Sequence, residues 1–328
     1  MRIQAFAMAT MAATTLSTGA LAEYPERTIE NIFPWTQGAA MAASQIVAKA
    51  MGEELGETIT IVSTPGAGGT KSFMTAMGRP ADGYTLIDGW VAPLVLQPVL
   101  GNADWSHTDF KPLHAAHSVP FSIGKRADDD RFEDFEALMS YCTEHPGELR
   151  YSTDARNNLP HMVTARVLQA YDCVAQNIPY GTDGDAIKDL KSGVLDFAYV
   201  NPRAYTQEPE AFDILLVLAD VDGASETYGG APTFADLDID LGLSGLAPMG
   251  WTWWLVHPDT PEAETETLRQ AMGAAMARED VRQQLSSIGF NPLSYGPEQY
   301  DEIVGPVREQ LESMRNAIAW EEERMGGL

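Results

Sequence analysis

Four stretches of this chain share one pattern, in which an apolar strand-like run stops at a turn of small residues and a helix-like run follows. They are ENIFPWTQGAAMAASQIV (30–47), TITIVSTPGAGGTKSFMTAM (58–77), ELRYSTDARNNLPHMVTARVL (148–168) and VAQNIPYGTDGDAIKDLKSG (174–193). Around them the alternation continues. TIENIF, TITIVS and YTLIDGWV read as strands separated by an Ala/Met-rich helix to about Leu55 and a helix over 71–77. After about Pro120 a second series begins, with helices over 132–145, 161–171 and 185–193 and strands at ELRYST, VAQNIPY, LDFAYVN and ILLVLA. Strands alternating with helices predict an α/β protein with a mainly parallel sheet flanked by helices in each of two series.

The apolar run 245–261, which carries Trp251, Trp253 and Trp254, leads into helical segments over 264–289 and 298–324. With no further strands behind them, these helices are expected to complete the first unit. The expected division is residues 23–120 plus 245–328 in lobe 1 and 121–244 in lobe 2, with crossings near 119–124 and 243–257, the layout of a hinged clamp. Strand alternation sets Trp254 on the face opposite Trp251 and Trp253, so at least one of them belongs in the core or at the hinge.

A helix N-terminus carries unsatisfied N–H groups and a partial positive charge, so a small-residue turn leading into one suits an anion. Ligands of open α/β sheets sit beyond the carboxyl ends of strands, where the four turns fall. No nucleophile with a base accompanies them, which points to holding a ligand rather than transforming it. GAGGTKS (66–72) fails the phosphate-loop and dinucleotide spacings, and GLSGL around Ser244 lacks the last Gly of a nucleophile elbow. His107, His114 and His117 have no second metal-binding partner set, and DLDIDLG (236–242) misplaces the Gly and lacks the bidentate Glu of a calcium loop. No cofactor or metal is expected.

Composition narrows the partners. The chain has 328 residues, 45% of them hydrophobic, enough for two well-packed units. Residues 1–22 read as a secretory signal peptide with Ala20-Leu21-Ala22 as its cleavage site. Asp plus Glu number 47 against 21 Lys plus Arg; loss of Arg2 with the signal gives 20 − 47 = −27 for the mature chain. That charge excludes nucleic acid and anionic lipid, both of which are held by Lys and Arg on phosphate. A soluble periplasmic monomer is expected. The Lys-poor acidity fits either a saline habitat or an acidic secreted protein. Cys142 and Cys173 form either one disulfide, as an oxidising compartment favours, or two buried free thiols.

The ordered motifs YPERTIENIFPWTQGAA, STPGAGGTKS, PADGYTL, DFKPL, HPGELRYST, NNLPH, IPYGTDGDAIKDLKSGVLD, TFADL and SIGFNPLSYGPEQYDEIV resemble the periplasmic solute-binding proteins of tripartite tricarboxylate transporters, the Bug family, over essentially the whole mature chain. The resemblance implies two α/β lobes of the type II periplasmic-binding-protein kind that close over a small carboxylate and deliver it to membrane permease subunits. In the first loop Pro34, Trp35 and Gly38 match, whereas Ala39 replaces a Gly and Ala42 the Asp that in relatives helps select the distal part of some ligands, which speaks against an amino-bearing ligand. Gly66, Ala67, Gly68 and Gly69 match the second loop. The third has lost both glycines, leaving Asn157 for the left-handed conformation and Asn158 for the helix cap. In the fourth, Pro179 and Tyr180 match and Gly181-Thr182 replaces Lys-Gly.

The implied ligand set is Trp35, Thr36, Gly38, Ala39, Ala40 and Gly66 to Gly69 from one lobe, with Thr153, Arg156, Asn157, Asn158, Tyr180 and Thr182 from the other. Trp35 and Ala42 would meet the apolar body of the ligand, and Arg156 either grips a carboxylate or faces solvent. The lost Asp favours an aromatic or aliphatic mono- or dicarboxylate without an amine. The competing readings are a secreted enzyme built on His161 and the nearby aspartates, and a receptor serving a sensor kinase.

Overall fold

The structure, a computed structural model, describes residues 24–154, 156–181, 183–219, 221 and 223–327. The expected signal peptide and Thr182 lie outside the described residues. The first series gives β1 (Ile29–Phe33), α1 (Ala39–Leu55), β2 (Ile59–Ser63), α2 (Thr70–Met77), β3 (Thr85–Trp90) and the short α3 (Gln97–Val99), then β4 (Lys111–Val119). The second gives β5 (Phe121–Arg126), α4 (Phe135–Glu144), β6 (Arg150–Ser152), α5 (Leu159–Ala170), β7 (Gln176–Asn177), α6 (Asp183–Lys191), β8 (Phe197–Ala198), α7 (Pro202–Gln207) and β9 (Phe212–Leu218). The chain closes with β10 (Gly250–Val256), α8 (Glu262–Ala277), α9 (Glu279–Ser287), β11 (Asn291–Pro292) and α10 (Tyr300–Gly326).

These strands form two sheets flanked by helices, as the alternation predicts. One has the order β11-β4-β10-β3-β1-β2 and the other β7-β6-β8-β5-β9. β1 runs parallel to β2 and β3, and β6 parallel to β7 and β8. The sequence pattern did not mark β4 and β5, which run antiparallel to β10 and to β8 and β9 respectively. Only Pro120 separates them, so the backbone passes between sheets in a single residue; it returns between Leu218 and Gly250. Tyr228 buries its ring there and donates its hydroxyl to the Val200 and Pro120 carbonyls.

β10 lies inside the first sheet between β3 and β4, and Trp251, Trp253 and Trp254 are all fully buried on its two faces. Residues 264–289, read as one helical segment, divide into α8 and α9 at Arg278, which leaves the helical region (φ −71°, ψ 127°). Cys142 and Cys173 are bridged, tying the end of α4 to the segment after α5.

The C-terminal helix reaches further than expected. The sequence pattern puts residues 245–328 whole in the first lobe, and α10 does begin there, with the Tyr300 hydroxyl donating to the His107 carbonyl. Its last turns instead lie on α5 of the second sheet. Glu321, 5% exposed, accepts from the Tyr151 hydroxyl at 2.7 Å and faces His161 Nε2 at 3.2 Å. Arg324 pairs with Asp172. A 27-residue helix spans about 40 Å at 1.5 Å per residue, enough to cover both units.

Two buried titratable groups sit in the first sheet. Asp88 accepts from Ser44 and Thr252 at 2.6 Å each, and burial raises its carboxyl to about 6. His117, fully buried between the rings of Trp90 and Phe290, has no hydrogen-bond partner among the described residues, and burial lowers it to about 3. Keeping His117 neutral gives stability that is full above its ordinary 6.5 and is lost as pH falls toward 3. Asp88 has the opposite sign: its burial costs stability above about 6, and the cost is relieved as pH falls toward the ordinary 3.8. Between about pH 4 and 6 the two slopes, each roughly 1.4 kcal/mol per pH unit, oppose one another. Asp88→Asn therefore loses stability on acidification from pH 6 to 4 more steeply than the native chain, measured by denaturant unfolding at each pH. Parallel curves would contradict the assignment.

Candidate functional site

The turn after β1 runs Pro34-Trp35-Thr36-Gln37-Gly38 before α1 begins at Ala39. Gly38 needs no special conformation, since its φ of 169° is extended backbone, and a Cβ there meets nothing within 4 Å. The main chain here is open to approach. Facing the turn across the gap between the sheets is the segment after β8, Tyr199 to Gln207, where Asn201 caps α7 by accepting from the Ala204 N–H at 2.9 Å.

Three cavities occupy this gap, and all three share Gly38, Ala39 and Arg203 in their walls. One, of about 310 Å³, runs from Trp35 and Trp90 past Val119 and Phe290 to Tyr199 and Asn201. A second, of about 470 Å³, extends toward Gly181, Gly184 and Glu208, and a third, of about 420 Å³, toward Ala42, Thr206 and Ser287. The long strands set this geometry: Trp90 ends β3 and Val119 ends β4, next to the crossing at Pro120.

Arg203 and Glu208 are the only charged side chains among the described residues that line these cavities. Glu208 is paired with Lys191. Arg203 is exposed and makes no hydrogen bond or ion pair with a described residue, so its guanidinium is available to a ligand in the gap. Asn201 uses its oxygen on the α7 cap, so its NH₂ has no protein partner among the described residues.

The sequence-predicted residues separate into two groups. Trp35, Thr36, Gly38, Ala39 and Ala40 line the cavities together, and Ala42 joins them. Gly66, Ala67, Gly68 and Gly69 do not. All four have positive φ; Gly66, Ala67 and Gly68 are exposed, a Cβ on Gly68 would lie 2.5 Å from the Gln97 amide at the start of α3, and one on the buried Gly69 would lie about 3 Å from Pro93.

Thr153, Arg156, Asn157, Asn158 and Tyr180 also stand outside the three cavities. Thr153 is buried, Arg156 donates to the Asn177 carbonyl at 3.2 Å, and Tyr180 donates to Asp189 at 2.7 Å. Asn157 takes the left-handed conformation (φ 60°) and Asn158 caps α5 by accepting from the His161 N–H at 2.8 Å, the roles expected for them once the glycines were lost. His161 accepts the Asn157 N–H at Nδ1, so its ring proton sits on Nε2 and points to Glu321; it holds the loop rather than serving as a base.

Sequence reasoning missed Asn201 and Arg203, which follow a strand of only two residues and belong to no glycine-bearing turn. The one available signal was an Asn-Pro-Arg helix start in a chain poor in bases. Trp90 and Phe290 were missed because their neighbourhood is made by β4, β10 and β11 from distant parts of the chain.

The fold is that of the periplasmic solute-binding proteins. A family model described as the tripartite tricarboxylate transporter family receptor matches residues 43–318, and the chain belongs to that family. It is a solute-binding receptor and not an enzyme, as the motif order implied. A protein in the tcbD-tcbE intergenic region of Pseudomonas sp. strain P51 is 25% identical over 294 residues, covering 88% of this chain and 86% of that protein. Among solved structures, an adipate-bound protein of R. palustris superposes with a TM-score of 0.75 at 20% identity, over 90% of this chain and 99% of that one. MatC from Rhodopseudomonas palustris with bound malate superposes with a TM-score of 0.71 at 20% identity, over 90% and 100%. Among the described residues, no helix is long and apolar enough to cross a membrane.

Proposed function

We propose that this protein captures a small organic carboxylate in the gap between its two sheets and delivers it, in the periplasm, to the membrane subunits of a tripartite tricarboxylate-type transporter. The observation that carries the reading is Arg203. A guanidinium without a protein partner, beside the Asn201 amide and opposite the open turn at Gly38, offers charge-assisted donors to a carboxylate from one side and main-chain N–H groups from the other. The malate and adipate in two relatives of the same fold support the carboxylate class.

Closure brings the unit 23–120 with most of 245–328 and the unit 121–244, which carries the last turns of α10, together as lobes about Pro120, the return segment before β10 and α10 itself. The ligand thereby exchanges water for converging donors, and the closed shape is what the permease recognises. Thr36, Gly38, Ala39 and Ala40 contact the ligand from the first lobe, with Trp35 and Ala42 against its apolar part.

A thermal-shift screen of the mature chain against small carboxylates tests this. A ligand present at a hundred times its Kd adds about 2.7 kcal/mol and raises the apparent melting temperature by several degrees. It is recovered chemically unchanged, and loaded protein drives uptake into vesicles that carry the two membrane subunits. A screen in which no carboxylate raises the melting temperature would remove the proposal.

A further inference from the structure

We infer that the ligand carries a single carboxylate on a flat apolar body, an aromatic monocarboxylate held by Arg203 at one end and by a wall of Trp35, Trp90 and Phe290 at the other. This rests on the carboxylate reading above and narrows it. The wall is built rather than incidental. Trp35 and Trp90 meet edge to face at 6.5 Å between ring centres, and Trp90 and Phe290 do the same at 6.5 Å. Ile288 and Val119 complete the same cavity with aliphatic surface. A ring sliding into this space meets ring edges and faces, the arrangement in which aromatic pairs attract beyond the area they bury.

Charge makes the narrower argument. The described residues lining the three cavities supply one cation, Arg203, and it stands on the α7 side. The main-chain N–H groups at Gly38 and Ala39 face Arg203 and serve the same carboxylate, so a second one on the ligand would compete for them, be desolvated against the aromatic wall or lie toward Glu208, with no second cation to compensate it. The imidazole behind Trp90 and Phe290 supplies no hidden positive charge, because His117 is fully buried and held neutral. Asn201 can add a neutral donor beside the guanidinium, which suits the second oxygen of the one carboxylate. Ala42 adds no charge of its own, so an ammonium group has no acidic partner there either.

The test is isothermal titration of the mature full-length chain with benzoate, 3-phenylpropionate, adipate and malate, for the native protein and Arg203→Gln. Arg203 is exposed and bonds to no described residue, so the substitution leaves the fold intact, which circular dichroism checks. Benzoate or 3-phenylpropionate is expected to bind at least about tenfold more tightly than either dicarboxylate. Loss of a charged hydrogen-bond donor in Arg203→Gln is expected to weaken it by about ten- to a hundredfold. Tighter binding of adipate or malate would overturn this inference while leaving the carboxylate receptor standing. Unchanged affinity in Arg203→Gln would overturn the assigned anchor. If no carboxylate binds at all, the fault lies with the function proposed above.

Discussion

Replacing both halves of the bridge, Cys142→Ala with Cys173→Ala, is expected to lower stability by about 3–4 kcal/mol, read from the shift in guanidinium unfolding of the oxidised native chain against the variant. The two cysteines are 31 residues apart, and cross-linking a loop of that length restricts the unfolded chain by about this much. Both are fully buried, so alanine also leaves small cavities beside α4 and α5. The enclosed segment contains β6, α5 and the turn that positions Asn157, so its loosening registers first in the second sheet. Reductant added to the native chain should reproduce most of the loss. A change below about 1 kcal/mol would show that the bridge adds little to the packing around it.

Glu321→Leu is expected to cost about 3 kcal/mol. Two buried donors, the Tyr151 hydroxyl and the protonated Nε2 of His161, end on one oxygen of this carboxylate, and leucine leaves both without an acceptor. Burial and the neighbouring carboxylate charge hold the Tyr151 hydroxyl well above the usual tyrosine range, so it stays a donor throughout the working pH range. Glu321→Gln retains an acceptor oxygen and is expected to recover most of the loss. The effect extends beyond stability. His161 also receives the Asn157 amide, so freeing its far nitrogen relaxes the Asn157 turn, and amide exchange at Asn157 should rise more in Glu321→Leu than in Glu321→Gln. Equal exchange in both variants would sever the last turn of α10 from the loop.

Much of the architecture was legible because it is written locally. The strand and helix runs from Thr28 to Trp90 and from Phe132 to Leu218 keep their periods, and the helix caps were readable down to Asn158. The turn from Trp35 to Ala40 was identified from small residues that leave its backbone accessible, and it lines the cavities. The same logic points to Gly66 to Gly69, which stand outside the three cavities: Gly68 approaches Gln97 and Gly69 approaches Pro93, whereas Gly66 and Ala67 are exposed, so a glycine marks close approach without saying what approaches.

What the amino-acid order determined by itself was the family, the two alternating series and the absence of an activated nucleophile at the strand ends. Local periodicity and turn chemistry act over a few residues, so they survive in a one-dimensional reading. What only the tertiary structure decided was the wall of Trp90 and Phe290, the partnerless guanidinium of Arg203 and the reach of α10 from His107 to Tyr151. Each depends on residues brought together from sequence separations of roughly a hundred or more. Whether a side chain is paired, buried or facing a gap is a property of its neighbours in space, fixed only when antiparallel β4 and β10 close the first sheet and the long helix lies across both.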